Sequence, residues 1–95
     1  MAASVFVFFN ANTSPGNVAT GYCNCVSTSP AVSGGCHVSC RVIDISQVPP
    51  DPIAQQFASG SSIEVVAVKD NQVVGRLNNP TSCDPIHNLV AQLCS

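Results

Sequence analysis

The sequence predicts a mixed α/β fold built around one central strand. Two observations lead there. Residues 4–9 run β-branched and aromatic side chains together without polar alternation, the mark of a strand buried on both faces. From Arg41 onward the elements read strand, helix, hairpin, helix. At 95 residues, a single domain spanning 1–95 is expected.

After the first strand, residues 10–40 contain no Asp, Glu, Lys or Arg and are mostly Ser, Thr, Asn, Gly, Pro and Cys. No helical period stands out there, so an irregular or β-hairpin insertion is expected. Thr20 to Thr28 and Cys36 to Ile45 are its candidate strands, with Ser29-Pro30 and Gly34-Gly35 turning the chain between them. On the second of these, Cys36, Val38, Cys40 and Val42 share one face.

The second half is plainer. Arg41 to Ile45 reads as a strand. Asp51 is a good N-cap with Pro52 in the first helical position, Ile53, Ala54 and Phe57 form a short apolar stripe, and Gly60 ends the helix. Ile63 to Val68 and Gln72 to Leu77 make a hairpin across Asp70-Asn71, two residues that tolerate left-handed backbone. Asn79-Pro80 breaks the second strand. Asp84-Pro85-Ile86 repeats the earlier cap, and Ile86, Leu89, Val90, Leu93 and Cys94 form a clean helical stripe.

The segments Arg41 to Ser46, Ile53 to Phe57, Ser62-Ile63 and Val65 to Leu77, with strand 4–9 as their central partner, resemble the thioredoxin-like family. The resemblance implies a thioredoxin-like mixed sheet with two short helices and the Cys-rich segment 10–40 as an insertion. It also implies a site that this chain lacks. The family's catalytic Cys-x-x-Cys follows the first strand, where a helix N-terminus lowers the thiol pKa. Here Asn10-Ala11-Asn12-Thr13-Ser14-Pro15-Gly16 stands there, and no Cys-x-x-Cys occurs anywhere. The family's cis-proline is also missing, since Glu64 follows Ile63. No catalytic residue carries over.

Six cysteines therefore hold most of the chemistry: Cys23, Cys25, Cys36, Cys40, Cys83 and Cys94. Cys83 and Cys94 bound one helix and lie about 16 Å apart along it, too far to bond. Cys23 and Cys25 point the same way on an extended chain. Excluding those two pairs leaves ten of the fifteen connectivities open. The expectation is that disulfides tie 10–40 to itself and to the last helix, with any cysteine left over available to another chain. A metal is the rival reading: Cys23, Cys25, Cys36 and Cys40, with His37, offer more than the four ligands zinc needs, at a spacing tighter than a standard knuckle. His37 reads as a strand-surface imidazole and His87 as a polar-face position on the last helix.

Charge narrows the partners. Only 8 residues are charged, 3 basic and 5 acidic, against about 25% in an ordinary soluble protein. No basic patch exists for nucleic acid or an anionic membrane, and no run approaches a membrane span. The apolar run Val5 to Phe9 is too short for a signal peptide and no Lys or Arg precedes it. Synthesis in a cytoplasm is expected, and the six cysteines fit that through a metal site, through thiols that stay reduced, or through disulfides formed after release. Sparse charge suits a subunit better than a free monomer, which uses charge to resist association. The reading is a non-enzymatic structural or interaction protein with no cofactor. Its partners are other protein subunits, a virion capsid or tail being one such assembly, and an inter-chain disulfide is one available link. The alternatives are a divergent thiol–disulfide oxidoreductase using Cys36 and Cys40 or Cys23 and Cys25, and a small zinc-binding protein.

Overall fold

The computed structural model describes residues 3–60 and 62–94. Four strands form one sheet: β1 (Ala3–Phe9), β2 (Ser39–Asp44), β3 (Ile63–Lys69) and β4 (Gln72–Asn78), in the order β2-β1-β3-β4. β1 is central. It pairs in parallel with β2, from Ser4 opposite Ser39 to Phe9 opposite Asp44. On its other side it pairs antiparallel with β3, from Ala3 opposite Lys69 to Phe9 opposite Ile63. β3 and β4 form the hairpin, with a register shift at Ala67/Val68. Asp70 and Asn71 both take positive φ, 54° and 64°, which is what a two-residue turn of the primed kind requires.

Because side chains alternate across a strand, the sheet feeds two cores. Val5 and Val7 of β1 and Ile63, Val65 and Ala67 of β3 face one way. They are covered by helices α1 (Gly16–Ser27) and α4 (Asp84–Leu93) through Ala19, Tyr22, Val26, Ile86, Leu89, Val90 and Leu93. Phe6, Phe8, Ile43, Val66 and Val68 face the other way, under Ala54 and Phe57 of the six-residue helix α3 (Pro52–Phe57). The Phe6 ring stacks on both Phe8 and Phe57, with centroids 6.0 and 5.9 Å away. A mixed α/β fold with helices on both faces is thus established.

Three details differ from the sequence reading. Residues 10–40 are not an irregular or hairpin insertion. They hold α1 and the short helix α2 (Pro30–Ser33), so Thr20 to Ser27 is helical with Thr28 as its C-cap, and the described residues contain four helices. Gly16, Gly21, Asn17, Asn24 and Thr20 are poor helix formers. Tertiary packing of Ala19, Tyr22 and Val26 against the sheet overrides that weak propensity. Second, α3 ends at Phe57, with Ala58 already extended at ψ 140°, while Gly60 turns two residues later at φ +90°. Third, the two helix starts are not alike. Asp51 caps α3 by accepting the Ile53 N–H at 2.8 Å. At α4 the cap position is Cys83, already helical in backbone, and Asp84 lies inside the first turn.

Candidate functional site

A polar, uncharged groove lies at the end of the sheet where β1 ends and β3 begins. Its walls come from three places: Thr13 and Ser14 after β1, Ser62 and Ile63 entering β3, and Asn78 and Asn79 leaving β4, around about 430 Å³. Backbone bonds fix it. The Asn10 carbonyl accepts the Thr13 and Ser14 N–H groups at 2.9 and 2.8 Å, and the Asn10 N–H donates to the Ser62 carbonyl at 2.8 Å. Asn79, at φ 47°, donates its N–H to the Ile63 carbonyl at 3.1 Å. The lining is hydroxyl, amide and one isoleucine. It offers no thiol and no ionisable side chain, so thiol exchange has no nucleophile there. The one cis peptide bond among the described residues, Val48–Pro49, lies between β2 and α3 rather than ahead of β3.

The cysteines sit instead on the helical face, and all six are bonded. Cys23 of α1 pairs with Cys40 of β2, with Cα atoms 5.7 Å apart. Cys25 of α1 pairs with Cys83 at the start of α4, at 5.3 Å. Cys36, between α2 and β2, pairs with Cys94 at the end of α4, at 6.0 Å. One bond closes the 10–40 segment on itself and two pin it to the two ends of α4. An extended strand would point Cys23 and Cys25 the same way, but on the helix α1 they diverge by about 200° around the axis and so reach different partners.

The metal set is divided by this pairing. Cys23 and Cys40 share a bond, while Cys25 and Cys36 are committed to opposite ends of α4. A sulfur in a disulfide has no thiolate to give a metal. Among the described residues no cluster of three free His, Cys, Asp or Glu side chains has metal-binding geometry. The proposed redox couples are divided too: Cys36 is not bonded to Cys40, nor Cys23 to Cys25. His37 is exposed. His87 is not a plain polar-face residue, since it is half-buried and its Nε2 is shielded with no hydrogen-bond partner.

A second concavity lies beside the Cys25–Cys83 bond. Val18, Gly21, Tyr22 and Cys25 of α1 face Pro80, Thr81, Ser82 and Cys83 across a cleft of about 350 Å³. The Tyr22 hydroxyl donates to the Pro80 carbonyl at 2.6 Å and closes its floor. Burial raises the Tyr22 pKa above the ordinary phenol value. Sequence reasoning misses this cleft because it places no helix in residues 10–40 and offers Thr20 to Thr28 as a strand. The signal was present: Ala19, Tyr22, Cys23 and Val26 fall at i, i+3, i+4 and i+7 once cysteine is counted as apolar.

No family model and no curated protein matches the chain. A solved structure of a malarial protein is similar to it over the whole of both chains, with a TM-score of 0.69 and 13% sequence identity. At that identity the likeness concerns the fold alone.

Proposed function

We propose that the chain is a thioredoxin-like scaffold whose role is structural: a disulfide-stapled, non-catalytic subunit that works by contact with other protein subunits. The observation that carries this is the mismatch between sheet and cysteines. The central strand has a parallel partner on one side and an antiparallel hairpin on the other, with helices on both faces, which supports the thioredoxin-like reading. At the end of that strand, where such a fold does redox chemistry, stand Asn, Thr and Ser, and every cysteine is used as a cross-link elsewhere. Sparse charge and the half-exposed Val73 and Val74 on the outer strand β4 suit a surface that meets protein. A virion shell or tail, or another extracellular assembly, would supply both the neighbours and the oxidising surroundings. No helix among the described residues is long and apolar enough to cross a membrane, and three disulfides fit a protein that works outside the cell.

The test is an insulin-precipitation assay with dithiothreitol, run beside light scattering on the oxidised chain. The reading expects no rate above the dithiothreitol control and a mass above the 9.8 kDa monomer as concentration rises. Catalysed precipitation by a chain that stays monomeric would overturn it in favour of the oxidoreductase.

A further inference from the structure

Two of the three disulfides are anchored on the same helix, at opposite ends. Cys83 is the N-cap of α4 and Cys94 its C-cap. The backbone dipoles of a ten-residue helix place about half a positive charge at its start and half a negative charge at its end. A thiolate released at Cys83 is stabilised by that field, whereas one released at Cys94 is opposed by it. The partner of Cys83 lies in the opposite situation. Cys25 is two residues from the end of α1, among carbonyls that disfavour a thiolate. The Cys25–Cys83 bond therefore has one good leaving sulfur and one poor one.

It is also open to attack, because both of its cysteines line the cleft between α1 and Pro80-Thr81-Ser82. Neither Cys23–Cys40 nor Cys36–Cys94 borders that cleft. Cys23, Cys25, Cys40 and Cys94 all pack against the same core, so it is the cleft rather than core packing that sets Cys25–Cys83 apart. One turn on from Cys83, on the same side of α4, His87 holds a shielded Nε2 with no hydrogen-bond partner. His87 itself does not line the cleft. Asp84, exposed in the first turn, is the one acidic side chain there, and its charge works against the thiolate from water.

We infer that Cys25–Cys83 is a thiol-exchange site, and that its substrate is an external thiol small or apolar enough at its flank to enter the cleft. The incoming thiolate attacks Cys25 Sγ. Its electron pair forms the new S–S bond, and the pair of the old bond leaves on Cys83 Sγ. The external thiol is thereby oxidised into a mixed disulfide and Cys83 is reduced. The freed Cys83 thiolate, with Cα atoms only 5.3 Å apart in the starting bond, returns to Cys25 and expels the thiol unless the thiol is held in place. A partner's cysteine held against the cleft would be retained, giving an inter-chain disulfide to a chain that has no free thiol of its own. The reactivity itself does not depend on the assembly reading, since it concerns which bond opens first.

The native oxidised protein is exposed to graded reduced glutathione, quenched with acid, alkylated and mapped by mass. Cys25–Cys83 is expected to open about tenfold faster than either other disulfide, with glutathione on Cys25 and the free thiol on Cys83. In Asp84→Asn that rate should rise two- to fivefold, on the order expected for removing one opposing charge at a helix start, while the other two bonds keep theirs. Equal opening of all three bonds, earlier opening of Cys36–Cys94, or glutathione found on Cys83 would overturn the inference. An Asp84→Asn change that speeds all three alike would do so too.

Discussion

The carboxylate of Glu64 is fully buried, and the guanidinium of Arg76 reaches it at 2.5 Å across the β3–β4 hairpin. The two are diagonal neighbours on the face that packs under α3, since Glu64 lies opposite Asn78 and Val66 opposite Arg76. Ser59, two residues past the end of α3, completes the arrangement. Ser59 donates its N–H to Glu64 Oε1 at 3.0 Å and its hydroxyl to the other carboxylate oxygen. At the start of β3 this chain thus places an ion pair that ties the hairpin to the segment following α3.

Removing one partner strands the other. Arg76→Met should cost about 3 kcal/mol, the low end for a buried pair, because the arginine side chain keeps 31% of its surface in water. Arg76→Met combined with Glu64→Gln should recover much of that loss, since the amide can still accept the Ser59 N–H. Urea denaturation of the two single variants and the double variant checks it. Equal, additive losses would contradict the pairing.

Gly75 of β4 passes directly beneath α4. A methyl group on its Cα would overlap Leu89 Cδ1, with Leu89 Cγ at 3.6 Å. Leu89 is itself buried in the core under α4, so it has little room to yield. Gly75→Ala should cost about 1–3 kcal/mol by overpacking. Leu89→Val in the same chain should return part of it, read as a rise in thermal midpoint over the single variant.

Two groups contribute opposite pH dependences. The Asp44 carboxylate accepts the Ser46 hydroxyl at 2.6 Å, the Ser46 N–H at 2.9 Å and the Ala11 N–H at 3.3 Å. The Ser46 hydroxyl, then the Ser46 N–H and the Ala11 N–H, hold its pKa below the ordinary aspartate value. A lowered folded-state pKa means stability present above the unfolded value, near 3.9, and lost as pH falls through the folded one. Tyr22 has the opposite sign: its raised pKa gives stability present below pH ~10 and lost as pH rises through the folded value. Carbon NMR titration should place the Asp44 midpoint below the ordinary range. Asp44→Asn should flatten the acid limb of the stability curve, and Tyr22→Phe the alkaline one.

The disulfides differ in how much chain they close. Cys23–Cys40 spans 17 residues and Cys36–Cys94 spans 58. Restricting the unfolded chain, they contribute about 3 and about 4 kcal/mol respectively. Cys36→Ala with Cys94→Ala should therefore lower the thermal midpoint more than Cys23→Ala with Cys40→Ala. The reverse order would mean that local packing, not chain restriction, dominates.

The sheet and last helix were legible because their signals are local. Six buried positions in a row from Ile63 to Val68, the Asp70-Asn71 turn and the stripe Ile86, Leu89, Val90, Leu93 need no knowledge of the rest of the chain. Helix α1 was hidden because its stability is not local. Its buried face is narrow, its residues are weak helix formers, and two of its fixed points, Cys23 and Cys25, act through partners 17 and 58 residues away. That error carried the site with it: the cleft beside Cys25–Cys83 exists only if Val18, Gly21, Tyr22 and Cys25 lie on one side of a helix. The absence of a thiol after β1, by contrast, was plain in Asn10 to Gly16.

The central claim is that every cysteine serves as a cross-link and none as a catalytic thiol. Non-reducing peptide mapping of the mature protein, alkylated under denaturing conditions before digestion, tests it directly. The account expects no alkylated cysteine and three linked peptide pairs, Cys23 with Cys40, Cys25 with Cys83 and Cys36 with Cys94. Six alkylated thiols, or a native mass carrying a metal on Cys23, Cys25, Cys36 and Cys40, would contradict it.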